Sequence, residues 1–207
     1  MLTLFYAPGS CALAPHIALE EAGAEYTGRR VDTMGGEQRK PDYLAINPKG
    51  RVPALATERG VLTENPAILT FIAQRFPKAK LAPFEDAWAY AQMQSFNAYL
   101  CATVHVAHAH RMRGYRWADE QSSFEDMKRK VPETVGACFE LIEREMLKGP
   151  WVMGEAYSIC DPYLFTLADW MEADGLDPKR FPRVLDHRTR MHARPAVQRA
   201  LAQEGRA

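Results

Sequence analysis

No excess of either charge sign runs through this chain. Its 26 lysines and arginines are matched by 26 aspartates and glutamates, so no net field recruits nucleic acid or an anionic membrane, and any partner must be explained by local chemistry. No apolar run approaches the ~20 residues that a membrane span needs. Met1 leads straight into a strand pattern, without the basic and apolar segments of a signal peptide. Cysteine is sparse and scattered. Cys11, Cys101, Cys138 and Cys160 form no CxxC pair and match no zinc spacing, which excludes a disulfide framework and a structural zinc site and predicts free thiols. No internal repeat is visible. What is left is a cytosolic globular chain of 207 residues, long enough for one large domain or two small ones.

The chain opens on LTLFYAPGSCAL, Leu2 to Leu13. Leu2, Leu4 and Tyr6 alternate with Thr3 and Phe5, the pattern of a largely buried strand. Pro8-Gly9 breaks it and Ser10 is a good helix N-cap. Ala12, Leu13, Ile17, Ala18 and Leu19 then set an apolar stripe at helical spacing up to Gly23. Cys11 thus falls in the first turn of a helix that directly follows a strand. Unpaired backbone N–H groups and the positive end of the helix dipole favour a thiolate there, and a pKa lowered from about 8.5 toward neutrality is expected. The competing reading is a small packed hydrophobe, since cysteine is among the most often buried residue types.

Downstream, Tyr26 to Val31 reads as a second strand, weakened by Gly28, and Asp32 to Pro41 as a loop. Pro41 to Ile46 is a short helix closed by the turn dipeptides Asn47-Pro48 and Lys49-Gly50. Arg51 to Thr57 is strand-like but contains Pro53, which cannot donate a ladder hydrogen bond. The segment is therefore either a sheet edge or a strand that begins after the proline. Glu58-Arg59-Gly60 turns the chain into Val61-Leu62-Thr63. Glu64-Asn65-Pro66 then opens a helix through Ile68, Leu69, Phe71 and Ile72 that stops before Pro77. Residues 1–76 thus form a βαβ unit followed by ββα, an α/β domain, and the proline- and lysine-containing stretch 77–86 is a linker.

Strand signals vanish beyond that point. Trp88, Ala91, Met93, Phe96, Tyr99, Leu100 and Val104 mark one long amphipathic helix from Ala87 to Met112, and a second runs from Ser122 to Leu147. Ser158-Ile159-Cys160-Asp161 has the form of a capping box, with Asp in place of Glu, ahead of an apolar helix from Pro162 to Met171. The last helices are expected over Pro178 or Val184 to Ala193 and over Ala196 to Ala202. Residues 87–207 are therefore all-helical.

Four segments in this order resemble the cytosolic glutathione S-transferases, and among them the bacterial beta-class members. FYAPGSCALAPHIALEEAG is similar to that family's first strand and active-site helix, and NPKGRVPAL to its segment with a cis-proline. TENPAI is similar to its glutamate-containing turn into the third helix, and YSICDPYLFTLADW to its N-capping box and buried helix. The resemblance covers essentially the whole chain. It implies a thioredoxin-like first domain that binds glutathione, and a homodimer with ligand sites near the interface. Glutathione is an extended anionic tripeptide with a central cysteine. A cis bond at Pro53 would turn the Val52 amide and carbonyl toward its cysteinyl backbone, as edge pairing requires. Glu64 stands where the family's acid meets the γ-glutamyl amine, and Asn65 where a small polar residue at a helix N-terminus holds the carboxylate. Tyr6 matches the tyrosine at the end of the first strand and is read as a wall of the glutathione site.

The resemblance further implies that Cys11 lies beside the ligand sulfur and that a histidine of the helical domain, here His105, reaches the same place. CATVHVAHAHRMR holds His105, His108 and His110, half of the six histidines. His105 and His108 share a helix face and His110 does not. No acidic or cysteine partner follows at fitting spacing, so no metal is expected. Ala12 stands where beta-class members often carry a serine, which leaves Ser10 as the remaining hydroxyl donor to sulfur. Gly35 and Gly36 replace lysines of the loop after the second strand, which leaves Arg39, Lys40 or Lys49 for the glycyl carboxylate. The expected activity is that of a glutathione transferase with glutathione as co-substrate. Cys11, Ser10 and His105 would activate its thiolate for attack on a small hydrophobic electrophile near His108, Met112, Tyr115 and Trp117, in a cytoplasmic homodimer serving detoxification. Two alternatives stay open. One is glutathione-dependent disulfide reduction through Cys11, resolved by a second glutathione because no CxxC partner exists. The other is a non-catalytic binding or scaffold protein with the same fold.

Overall fold

In the computed structural model, which describes residues 1–206, β1 (Leu2–Tyr6) lies inside a four-stranded sheet of order β2-β1-β3-β4. β2 (Tyr26–Arg30) pairs with it in parallel after the crossover helix α1 (Leu13–Glu21). β3 (Ala54–Thr57) pairs antiparallel on the other side, and β4 (Gly60–Thr63) completes the sheet as a hairpin. The alternation read in β1 divides its side chains between two cores. Leu2, Leu4 and Tyr6 pack with Ala14 and Ala18 of α1 and with Ile68, Leu69 and Ile72 of α3 (Asn65–Arg75). Phe5 faces the other way, onto Val31, Ala54 and Tyr43 of the short helix α2 (Pro41–Leu44). Gly28 of β2 lets the Tyr6 ring lie close, since a Cβ there would sit 3.3 Å from it. The two possibilities at Pro53 resolve to the second: β3 starts after the proline and is an interior strand, and the Val52–Pro53 bond is cis.

The helical part comprises α4 (Ala87–Tyr99), α5 (His105–Ala109), α6 (Gln121–Leu141), α7 (Cys160–Ala168), α8 (Pro182–His192) and α9 (Pro195–Gln203). The single helix expected from Ala87 to Met112 runs unbroken to Ala109, as α4 and α5 joined by a π-turn. That π-turn lies at Leu100–Val104, with the His105 N–H bonded to the Leu100 carbonyl. The extra residue rotates α5 by ~100° about the axis relative to a helix without the π-turn. Apolar periodicity does not register such an insertion. Helical structure then stops at Ala109, and the chain turns at Gly114 against α6, so closely that a Cβ there would lie 3.0 Å from the Phe124 ring. The expected helix from Ser122 to Leu147 is α6 continued by a second π-turn, Ile142–Met146.

Every residue of α7 is buried, and it packs against α1, α4 and α8. The Ser158–Asp161 box forms and reaches further than its motif. The Asp161 carboxylate accepts from the Ser158 N–H at 2.7 Å, the Ser158 hydroxyl at 3.3 Å, the Val152 N–H at 2.8 Å and His187 Nε2 at 3.0 Å. α9 returns to lie on α1, which joins the end of the chain to its beginning.

Candidate active site

Residues 7–12 form a tight turn, and α1 proper starts only at Leu13. The Leu13 and Ala14 N–H groups bond to the carbonyls of Ser10 and Cys11, three residues back. Ser10 does cap this turn: its hydroxyl accepts from the Ala12 N–H at 3.2 Å and donates to the Ala7 carbonyl at 2.7 Å. That proton is used within the turn. Two partners from the far end of the helical part clamp Gly9, whose N–H donates to Glu204 at 3.0 Å and whose carbonyl accepts from the Trp170 indole at 3.1 Å. Buried Glu204 also meets His16 at 3.2 Å.

Three segments converge on Cys11. Its Sγ points at the Val52 carbonyl at 3.5 Å, beside the cis-proline, and its own carbonyl accepts from Asn65 Nδ2 at 2.9 Å. Burial pushes the Cys11 thiol up to about 12, with nearby Arg113 opposing that rise only in part. Burial thus opposes the thiolate expected at this helix start and outweighs the dipole and the N–H groups, although Cys11 is partly exposed at the cleft. Glu64, immediately before α3, has φ +72° and ψ +124°, a conformation rarely held by a residue with a side chain. Its carboxylate, half-exposed at the cleft, is 2.6 Å from Lys49 Nζ.

The opposite wall comes from the helical part. His105 and His108 both face the cleft, and both lie on Trp170, with ring centroids 5.3 and 4.1 Å from the indole. His108 Nδ1 is 2.7 Å from Asp174, a buried carboxylate that also meets Arg111 at 3.2 Å. This fixes the ring and leaves Nε2 as its free nitrogen. His105 is held neutral: burial, then His108 and the charges of Arg113, Arg116 and Arg51, push its pKa down to about 3. Met112, Tyr115 and Trp117 are exposed at the rim of the resulting cleft, which encloses about 660 Å³. His110 turns away and stacks on Trp117 with centroids 4.2 Å apart.

Two family models match this chain, the glutathione S-transferase N-terminal domain over residues 1–74 and the C-terminal domain over residues 103–195. It is 33% identical over 207 residues to a glutathione S-transferase of Escherichia coli, with 99% of each chain covered. The chain belongs to the glutathione S-transferase family. Among solved structures, a glutathione transferase homolog from Sulfitobacter with bound glutathione is similar at TM-score 0.96 and 50% identity, covering 100% of this chain and 99% of that one. A beta-class glutathione S-transferase from Sphingomonas chungbukensis gives TM-score 0.87 and 33% identity, covering 99% of this chain and 100% of its own. The thioredoxin-like sheet domain and the helical domain are those of the glutathione S-transferase fold.

Within this member of the glutathione S-transferase family, Ser10, Cys11, Val52, Pro53, Glu64, Asn65, His105, His108, Met112, Tyr115 and Trp117 all line one cleft. Tyr6 does not. Strand alternation sends its ring under α1, where it lies 5.0 Å from His16 and its hydroxyl donates to the Gln203 carbonyl at 3.2 Å, so its expected place in the glutathione site is corrected. Sequence reasoning missed Trp170, Asp174 and Glu204, whose contacts to the site cross more than sixty positions. It also missed Tyr163, a buried residue of α7 beside Cys101 in the cleft wall, whose hydroxyl has no hydrogen-bond partner among the described residues. Among the described residues no group of three or more His, Cys, Asp or Glu could hold a metal ion, and no helix is long and apolar enough to cross a membrane.

Proposed function

We propose that this protein binds reduced glutathione in the cleft and directs its sulfur at an electrophile held against the helical wall. The observation that carries this reading is the convergence at Cys11 of the α1 turn, the cis-proline segment that precedes β3 and the start of α3. These supply what the ligand needs: an extended backbone edge at Val52, a helix N-terminus at Asn65 for a carboxylate, and Glu64 for the amine. The glutathione held by the Sulfitobacter relative at 50% identity supports the same ligand here. The Lys49–Glu64 pair is about half exposed on both sides, so water screens it and the ligand ammonium can displace it. Lys49 is then free for a carboxylate.

At the sulfur, the chain offers two neutral donors. The His105 imidazole, its pKa pushed down to about 3, is too weak a base to hold the glutathione thiol proton; it faces the cleft as a neutral N–H donor to the sulfur, the thiol proton leaves to solvent, and the positive potential of the neighbouring arginines favours the thiolate left behind. The Cys11 S–H turns from the Val52 carbonyl to donate to that thiolate. Disulfide reduction through Cys11 is the weaker reading, because exchange needs a thiolate and this thiol stays protonated at neutral pH. The protein acts as a cytoplasmic homodimer in detoxification. Family membership supports that setting, as do its free cysteines, which suit a reducing compartment.

Cys11→Ser tests the assignment. A hydroxyl replaces the thiol as donor, so conjugation measured as kcat/KM is expected to fall by less than about tenfold. Abolished conjugation, or wild-type disulfide reduction that vanishes in the variant, would instead make Cys11 the reacting nucleophile.

A further inference from the structure

The charges around the cleft are not balanced as they are elsewhere. Over the rest of the surface most arginines meet carboxylates, as Arg75 with Glu58, Arg180 with Glu140 and Arg194 with Glu21, and the few that do not, such as Arg30 and Arg59, do not line the cleft. The cleft is lined by five arginines and one carboxylate, Glu64. Arg111 is neutralised by Asp174, and Glu64 is taken by Lys49. Arg39 donates to the Tyr115 hydroxyl at 3.0 Å. Arg39 thus has only a neutral partner, and Arg51, Arg113 and Arg116 likewise form no ion pair among the described residues. The last three crowd one another: after burial, the largest influences depressing the Arg116 guanidinium are Arg51 and Arg113. In a chain with equal numbers of acidic and basic residues, three mutually repelling guanidinium groups at one mouth call for an anion.

Glutathione accounts for part of that demand. Of its two carboxylates, the γ-glutamyl one belongs at the start of α3, and the glycyl one needs a single cation, which Lys49 or Arg51 can supply. Arg113 and Arg116 flank the rim residues Met112, Tyr115 and Trp117, on the side where the second substrate sits. Resting on the glutathione-transferase reading above, we infer that the second substrate is a carboxylate-bearing electrophile, with its apolar body on Tyr115 and Trp117 and its carboxylate on Arg113 and Arg116. The notion of a purely hydrophobic electrophile is thereby narrowed to an anionic one.

A matched pair of substrates tests this, chlorodinitrobenzene against its carboxylate analogue chlorodinitrobenzoate. In both, the glutathione sulfur bonds to the ring carbon bearing chlorine, chloride leaves with the bonding electron pair, and the thiol proton passes to solvent. Each kcat/KM is divided by the uncatalysed rate constant for the same reagent. The benzoate is expected to be favoured by about tenfold or more at low salt, and the preference to shrink as salt rises, because exposed charges are screened. In R113Q/R116Q both normalised rates are expected to fall together as the thiolate loses positive potential, while the preference between the two substrates disappears and calorimetric glutathione binding stays saturable. Equal ratios for wild type and variant would overturn the inference. So would a collapse of glutathione affinity in the variant, which would assign the arginines to the glycyl carboxylate. Absence of glutathione binding to the wild type would sink the transferase reading itself, a result distinct from glutathione binding without anion preference.

Discussion

The helix starts of α1 and α7 both end inside the molecule, and they are satisfied in opposite ways. At α7 one buried carboxylate, Asp161, accepts from Val152, from the Ser158 N–H and hydroxyl, and from His187, so this end is closed. At α1 Ser10 caps the turn locally, and the remaining groups are held from a distance, by Trp170 and Glu204 on Gly9 and by Asn65 on the Cys11 carbonyl. Its surroundings keep spare capacity: Asn65 Oδ1 and the Tyr163 hydroxyl are unpaired among the described residues, and the Cys11 thiol has a single long contact. One start is a fastening and the other is a seat. The fastening is built around a box of neighbouring residues, whereas the seat is assembled from pieces of the whole chain.

Breaking the fastening has the largest expected effect. Asp161→Ala leaves the Val152 and Ser158 N–H groups and His187 without their acceptor, and should cost about 3–5 kcal/mol of stability by urea unfolding. A loss below about 1 kcal/mol would show that water or a local shift replaces the carboxylate. At the seat, His105→Gln should lower kcat/KM for conjugation by about tenfold, through a misplaced donor to the sulfur, with little change in the urea midpoint at neutral pH. Loss of stability without loss of rate would make His105 a packing residue. Glu64→Gln should weaken glutathione binding by about tenfold in calorimetry, through the loss of one charge-assisted contact. An unchanged affinity would leave the ligand amine to another group.

A separate prediction is a pH dependence of stability, confined to acid. The His105 pKa is pushed down from 6.5 to about 3 in the folded protein, so below pH 6.5 the unfolded chain takes up a proton that the folded one refuses. Its contribution is full above pH 6.5 and is lost as pH falls toward about 3. His105→Gln should therefore flatten the acid side of the stability profile relative to wild type, measured as urea midpoints at several pH values. Parallel profiles would contradict the burial assigned to this ring.

The same division separates the features legible in the sequence from those that are not. The strand alternation in LTLFY, the breaker Pro8-Gly9, the turn at Glu58-Arg59-Gly60 and the Ser158–Asp161 box are short-range patterns, and each appears in the fold where its residues lie. The π-turn at Leu100–Val104 is illegible because one inserted residue hardly disturbs an apolar stripe, yet it sets the direction of His105. Tyr6 is misplaced by the sequence because alternation says that a side chain changes face, not which face borders the cleft. The Cys11 thiol is misjudged because dipoles are local to a helix start, whereas burial depends on Val52, Asn65 and the helical wall, all distant in sequence. Asp174 and Glu204 carry no motif at all. Only the folded chain brings them to His108 and Gly9.

Calorimetric titration of reduced glutathione into the purified protein tests most directly the claim that the seat at α1 is a glutathione site. Saturable binding between micromolar and low millimolar concentration, weakened by Glu64→Gln, is the expected result. No heat of binding at several millimolar from a folded protein would contradict it, and the spare hydrogen-bonding capacity around Cys11 would then belong to a different ligand.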